Sequence, residues 1–265
     1  MSEKLSLSPT KITTFLACPV RYWFTFVDFR YKRLLRARRE FSFGTSLHNA
    51  IKQFHDSAAA GIDAKTSARA ALDENWIVAG YASNEEQSEA LAEAQSIFDE
   101  YVEAQGTKLP PGEVLHLERR FSHDFSGFRL VGQIDRIDRL EDGTLNIIDF
   151  KSQRTETREE DLTVDVAMNC YASLVSKKIP GHPIQISIYS LRTGHICSVP
   201  LEEEQIERFE EDLRHIAGMF EDAYSQELIP TPKRICISCE FRTVCRKHPD
   251  FDDSLLDVFE DPEEP

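Results

Sequence analysis

Val131-Gly132-Gln133-Ile134-Asp135-Arg136-Ile137-Asp138 and, eleven residues beyond Asp138, the end of Ile147-Ile148-Asp149-Phe150-Lys151 decide how this chain is read. Both runs are rich in β-branched residues. Ser126-Gly127 precedes the first and Glu141-Asp142-Gly143 separates the two, so they predict neighbouring antiparallel strands. An acid inside an apolar strand costs several kcal/mol, roughly, unless it is paired or binds a metal. Asp149 and Lys151 are two residues apart and so share one face of the sheet. Asp135 and Asp149 are thereby placed to share one divalent ion, with Lys151 beside them. An ordinary ion pair between Asp149 and Lys151, with Asp135 exposed, fits the same letters. A D-x-K triplet alone does not separate these readings. The order of acid-bearing strand, turn, apolar strand, D-x-K and helix favours the metal site.

Outward from this pair, Val114–Phe121, Phe128–Ile137 and Leu145–Phe150 read as a three-strand meander, following a break at Pro110-Pro111-Gly112. A helix over about 160–177 and two strands, Ile184–Leu191 and His195–Val199, come next. The last long helix carries Ile206, Phe209, Leu213, Ile216, Phe220 and Tyr224 at helical spacing. Toward the N-terminus, Ser8-Pro9 reads as a helix cap, and the helix should stop near Cys18-Pro19. Leu47, Ile51, Phe54 and Ala58 mark an amphipathic helix beginning near Gly44, and two more helices are expected at about 64–79 and 84–105. The pattern is a mixed α/β core with a helical N-terminal cap.

The 265 residues carry 31 basic and 46 acidic side chains, a net charge of −15. That balance argues against a protein that coats nucleic acid nonspecifically, because such binding rests on neutralising phosphates. The charge is uneven. Residues 249–265 hold eight acids and no base, and read as a disordered tail. Conversely, Arg30, Lys32, Arg33, Arg36, Arg38 and Arg39 crowd six cations into ten residues, leaving room for a local polyanion site. The aromatics Tyr22, Trp23, Phe24 and Tyr31 beside them suit either core packing or stacking on bases. No apolar run approaches the roughly 18–20 residues of a membrane span, and Met1-Ser2-Glu3-Lys4-Leu5 opens no export signal, so a cytoplasmic protein is expected. Cys236, Cys239 and Cys245 form a C-x2-C-x5-C cluster, which in a cytoplasmic chain suggests metal before disulfides. Cys170 and Cys197 read as small core residues.

Taken together these motifs resemble the PD-(D/E)XK nuclease superfamily, in the branch of RecB-type and AddB-type nuclease domains and CRISPR-associated iron–sulfur exonucleases. Six features carry the resemblance in order: Ser8–Ile12 with Phe15–Pro19; Gly44-Thr45-Ser46-Leu47-His48; Glu118; Gly132–Asp138; Ile148–Lys151; and the C-terminal cysteine triplet. The resemblance implies a restriction-endonuclease-like mixed central sheet flanked by helices. It implies one nuclease domain over 1–248, with a helical part to about 110, a core over 111–228 and a ligand region at 229–248 closing onto Cys18.

What the resemblance implies about chemistry follows residue by residue. His48, Asp135, Asp149 and the Phe150 carbonyl would hold a catalytic Mg²⁺ or Mn²⁺, with Glu118 as a further acid of the site. An imidazole ligand tilts the preference toward Mn²⁺. Lys151 would orient the attacking water and stabilise developing charge. Cys18, Cys236, Cys239 and Cys245 would ligate a [4Fe–4S] cluster, although four thiolates equally suit structural zinc. Tyr171, with Arg30, Lys32 and Arg33, would contact DNA, preferably single-stranded. The family's Gln-x-x-x-Tyr is interrupted here, since Ala167 stands four residues before Tyr171. A helicase or a CRISPR integrase is the expected kind of partner. The alternative from another class is a catalytically silent, cluster-stabilised DNA-binding or assembly subunit.

Overall fold

The computed structural model describes residues 4–60, 64–104 and 112–259. The expected break at Pro110-Pro111 and the residues from Glu260 to Pro265 lie outside them. Strand β1 (Leu5–Leu7) leads into helices α1 (Pro9–Ala17) and α2 (Pro19–Tyr22). A π-helical turn (Trp23–Val27) and a 3-10 turn (Phe29–Leu34) follow, then α3 (Arg39–Ala59), α4 (Ala64–Asn75) and α5 (Asn84–Ala104). The meander is β2 (Gly112–Asp124), β3 (Phe128–Leu140) and β4 (Leu145–Lys151). Helices α6 (Glu159–Thr163) and α7 (Val166–Lys178), strands β5 (Ile184–Ser190) and β6 (Ile196–Leu201) and helix α8 (Glu203–Ser225) complete the core. A short helix α9 (Arg242–Cys245) lies in the cysteine segment.

The sheet is mixed, as the pattern of strands and helices predicts. β3 is its spine. β2 pairs antiparallel along one edge, while β1 (parallel) takes the start of the other edge and β4 (antiparallel) takes its end. β4 and β5 are parallel, joined through α6 and α7, and β6 closes the far side antiparallel to β5. β4 reads as a near-continuous apolar run because both its faces are covered. Ile147 joins a core with Ile12 and Phe15 of α1, Leu174 of α7 and Leu213 and Phe220 of α8. Ile148 and Phe150 join a second core with Leu47 and Ile51 of α3, Leu72 of α4 and Phe98 and Tyr101 of α5. Among the described residues no helix is long and apolar enough to cross a membrane.

Three local readings change. The helix expected over 160–177 is two helices, because the Asp165 side chain accepts from Met168 N at 2.9 Å and caps α7 there. α3 starts at Arg39 rather than near Gly44. Gly44 is an interior residue whose added Cβ would stand 3.1 Å from Ser152 Oγ, so its smallness serves close approach of α3 to the end of β4. The tail is not without structure from residue 249 onward. Phe251 and Leu256 are buried against Cys236, residues Asp253–Phe259 form a 3-10 turn, and Asp253 bonds Arg242 and Arg246. Two apolar anchors and two arginines outweigh the acidity of that stretch.

Behind the sheet, His55 of α3 meets the Tyr101 hydroxyl at 2.7 Å. Burial, and then the charge of Arg136, push the His55 imidazole down to about 4. The unfolded chain therefore takes up a proton between about pH 6.5 and 4 that the folded chain refuses. Stability should fall as pH drops through that window, by on the order of 2 kcal/mol, and be fully present above it. Urea unfolding of the wild type and of His55→Gln at pH 7 and pH 4.5 checks this. The difference between the two proteins should shrink at the lower pH, and an unchanged difference would remove His55 from the account.

Candidate active site

Arg136 of β3 lies opposite Ile148 of β4 at the end of the paired ladder, and Asp135 and Asp149 are the next residues of the two strands. Both carboxylates are buried, at 6% and 5% exposure. Asp135 Oδ2 accepts from the Phe150 backbone N–H at 2.8 Å, which fixes it on the β4 backbone. Lys151 Nζ lies 2.6 Å from Asp149 Oδ2 on the same sheet face. Burial, then the neighbouring charge of Asp135, push Asp149 up to about 6 against the pull of Lys151 and His48.

His48 arrives from α3, whose adjoining face buries Leu47, Ala50 and Ile51. Its Nε2–H donates to the Phe150 carbonyl at 2.9 Å. That bond turns Nδ1 toward the acids, 3.4 Å from Asp135 Oδ2 and 3.7 Å from Glu118 Oε1. Burial alone would lower its pKa; the close carboxylates of Asp135 and Glu118, with the charge of Asp149, raise it to about 10. Glu118 comes from β2 at the position that the register sets against Asp135, and its backbone is left-handed (φ 44°). A non-glycine residue held there costs about 1–3 kcal/mol, a strain that clusters at functional sites. Gln133 Nε2 donates to Glu118 Oε2 at 2.7 Å, while the buried Oε1 has no hydrogen-bond partner.

Ligand atoms of His48, Glu118 and Asp135 lie mutually within 4.8 Å, and Asp149 stands across the strand pair. The orphaned Glu118 oxygen, the crowded buried acids and the single imidazole suit a divalent cation. A hard, oxygen-preferring ion fits this donor set.

Tyr171 of α7 packs over Gly132, whose added Cβ would meet its ring at 3.0 Å. Burial, then the charges of Asp149 and Asp135, hold its hydroxyl well above the usual range, so it stays a neutral donor beside the acids. Asn169, between Ala167 and Tyr171, donates its amide to Thr163 O and Asp165 O. Arg30 is held by a bidentate bond to Asp28, and no described contact joins Arg30, Lys32 or Arg33 to the acidic cluster. Arg38, which caps α3, bonds Glu240 at 2.6 Å and Ser238 O at 3.2 Å, and Arg21 reaches the same glutamate. Tyr22 is core, packed on Phe15 and Phe220.

Cys18, Cys236, Cys239 and Cys245 line one small cavity with Arg21, Phe241 and Arg242. Cys18 Sγ accepts from Arg21 N at 3.4 Å. Burial, then the other cysteines, push the Cys245 thiol up to about 12. Four thiols therefore border one cavity, with two arginines beside them.

Gln133 and Glu240 were missed by sequence reasoning. Gln133 carried a signal, since a polar residue two before Asp135 shares its strand. Glu240 carried none beyond its place between two cysteines.

The model of the PD-(D/E)XK nuclease superfamily matches residues 6–246, which include every element of this site. The chain belongs to the PD-(D/E)XK nuclease superfamily. No curated protein matches its sequence. Among solved structures, SSO0001 is 15% identical over 94% of this chain and 89% of its own, with a TM-score of 0.41. A candidate exonuclease from Eubacterium rectale is 12% identical over 96% of this chain and 93% of its own, with a TM-score of 0.49. Nucleases of the PD-(D/E)XK superfamily use divalent metals, in keeping with the acids gathered here.

Proposed function

We propose that this PD-(D/E)XK nuclease is a Mn²⁺- or Mg²⁺-dependent deoxyribonuclease, an exonuclease on single-stranded or frayed DNA. The observation that carries the reading is the convergence of His48, Glu118 and Asp135 opposite Asp149, with Lys151 at its edge. Its context would be recombination, repair or CRISPR adaptation, with a helicase or an integrase as partner. A silent binding subunit is the weaker reading, because nothing would then maintain two buried aspartates and a strained Glu118 around one point.

His48, Glu118, Asp135, Asp149 and the Phe150 carbonyl would hold the ion. When bound, it lowers the pKa of water and neutralises charge on the scissile phosphate. The protein's own contributions are positional. The Phe150 carbonyl keeps the proton on His48 Nε2 and leaves Nδ1 to face the cleft. Gln133 holds one Glu118 oxygen and turns the other inward. Lys151 stays cationic beside two acids and donates to the phosphate oxygen where negative charge grows. Tyr171 offers a neutral hydroxyl on the α7 side.

The cysteine cavity would hold a [4Fe–4S] cluster. A single tetrahedral zinc, with bonds of about 2.3 Å, draws its sulfurs to within about 4 Å of one another. The C-x2-C-x5-C spacing with its remote first cysteine favours the larger group by resemblance. Iron and acid-labile sulfide near four per chain, about, in anaerobically purified protein would support this. Zinc in their place would reverse the assignment.

The test of function is degradation of 5′- and 3′-labelled single-stranded and duplex DNA with Mn²⁺, Mg²⁺ or a chelator. Metal-dependent loss of label from single strands is expected. Inert protein with a full metal complement would give the lead to the binding subunit.

A further inference from the structure

Helix α3 has two unlike sides. One buries Phe43, Leu47, Ala50, Ile51 and Phe54. The other exposes Phe41, Thr45, Asn49 and Lys52, and His48 lies along its margin. Phe41 is 69% exposed, whereas Phe43 two residues on is 6% exposed with Arg192 over its ring. No ring contact is described for Phe41 among the described residues.

The helix rise sets Phe41 about 10 Å from His48, two turns away and within about 20° of the same side. A Cβ added at Gly44 between them would stand 3.1 Å from Oγ of Ser152, the residue after Lys151. The span from Phe41 to His48 therefore runs beside the end of β4, where the catalytic lysine emerges. Lys52 continues the stripe about 6 Å past His48. Arg36 is exposed five residues before Phe41. Neither has an ion pair among the described residues, whereas Arg38 and Arg39 are bound to Glu240 and Glu86. In a chain of net charge −15, these cations give the exposed aromatic a locally positive flank.

We propose that the exposed stripe of α3 is the track that holds single-stranded DNA beside the scissile phosphate, with a base stacked on Phe41 and backbone phosphates met by Lys52 and Arg36. The proposal rests on the nuclease reading above and adds the strand's course and the residue that grips a base. One aromatic amid threonine, asparagine and lysine is the make-up of a single-strand groove. A contact between two copies of the chain would need a more continuous apolar core.

The test uses full-length protein in an Asp149→Ala background, so that binding is read without cleavage. The probe is an oligodeoxynucleotide carrying 2-aminopurine at successive positions, titrated by anisotropy and by quenching of the modified base. Phe41→Ala should weaken single-strand binding about 5- to 100-fold and abolish quenching at one position. Phe41→Trp should restore both. Lys52→Ala should lower the salt slope of log affinity by about one unit, with quenching retained. Affinity and quenching that are unchanged in Phe41→Ala would overturn the track. So would a loss of self-association in sedimentation with DNA affinity intact, which would assign Phe41 to a second copy. Cleavage by the otherwise wild-type chain reports separately on the nuclease. An active enzyme indifferent to Phe41→Ala loses the track alone.

Discussion

Lys151→Met is expected to slow phosphodiester cleavage by about 10²- to 10³-fold with little change in single-strand affinity. Methionine keeps the length and apolar stem of lysine, and the Lys151 side chain is 37% exposed, so packing is largely preserved. What disappears is one positive charge at the edge of a buried acidic cluster, where charge on the phosphate grows only in the transition state. An interaction made only there lowers kcat rather than affinity. Asp149→Ala should cost at least as much, because it removes an acid and leaves Lys151 without its 2.6 Å partner. Single-turnover decay of end-labelled DNA measures both. A loss under tenfold for Lys151→Met would show that its ammonium does not act at the reacting phosphate.

The central pair of strands and its acids were legible because they depend on short-range rules. The turn at Glu141-Asp142-Gly143 sets the register of β3 on β4, and that register brings Asp135 and Asp149 to the same end of the strand pair. A period of two then puts Lys151 on the same face. His48 and Glu118 were a different matter. They lie 87 and 17 residues before Asp135 in sequence, and only the resemblance tied them to it. No pattern in the sequence announces the left-handed backbone at Glu118 or the hydrogen bond from His48 to the Phe150 carbonyl. The basic run from Arg30 to Arg39 misleads for the same reason. It looks like a uniform polyanion track, yet Asp28, Glu86 and Glu240 claim three of its arginines, and Glu240 is about 200 residues away. In the tail, composition concealed two apolar residues, Phe251 and Leu256, which anchor it to Cys236. Long-range pairing decides such cases, and charge counting does not see it.

Arg136→Met is expected to destabilise the fold by about 3–5 kcal/mol, which is large for one substitution. Arg136 and Asp138 share the face of β3 that Asp135 does not use, packed toward α3 and α5. They are 5% and 0% exposed, and Arg136 Nε lies 2.8 and 2.9 Å from the two Asp138 oxygens. Burial already pushes Asp138 up, and the arginine is what holds it down. Methionine in place of Arg136 leaves a buried carboxyl that must ionise alone or take a proton, and either course weakens the folded state. The double variant Arg136→Met with Asp138→Leu removes both charges and should recover most of the loss, because an apolar pair of similar volume meets no desolvation penalty. Urea unfolding gives both numbers, and a single-variant loss below about 1 kcal/mol would mean that water reaches Asp138. The double variant also separates stability from chemistry. Asp135 alternates with Arg136 along one strand, so if the ion pair serves only the fold, the double variant should cleave DNA at close to the wild-type rate. If it folds well and cleaves slowly, the pair positions Asp135 from behind the sheet.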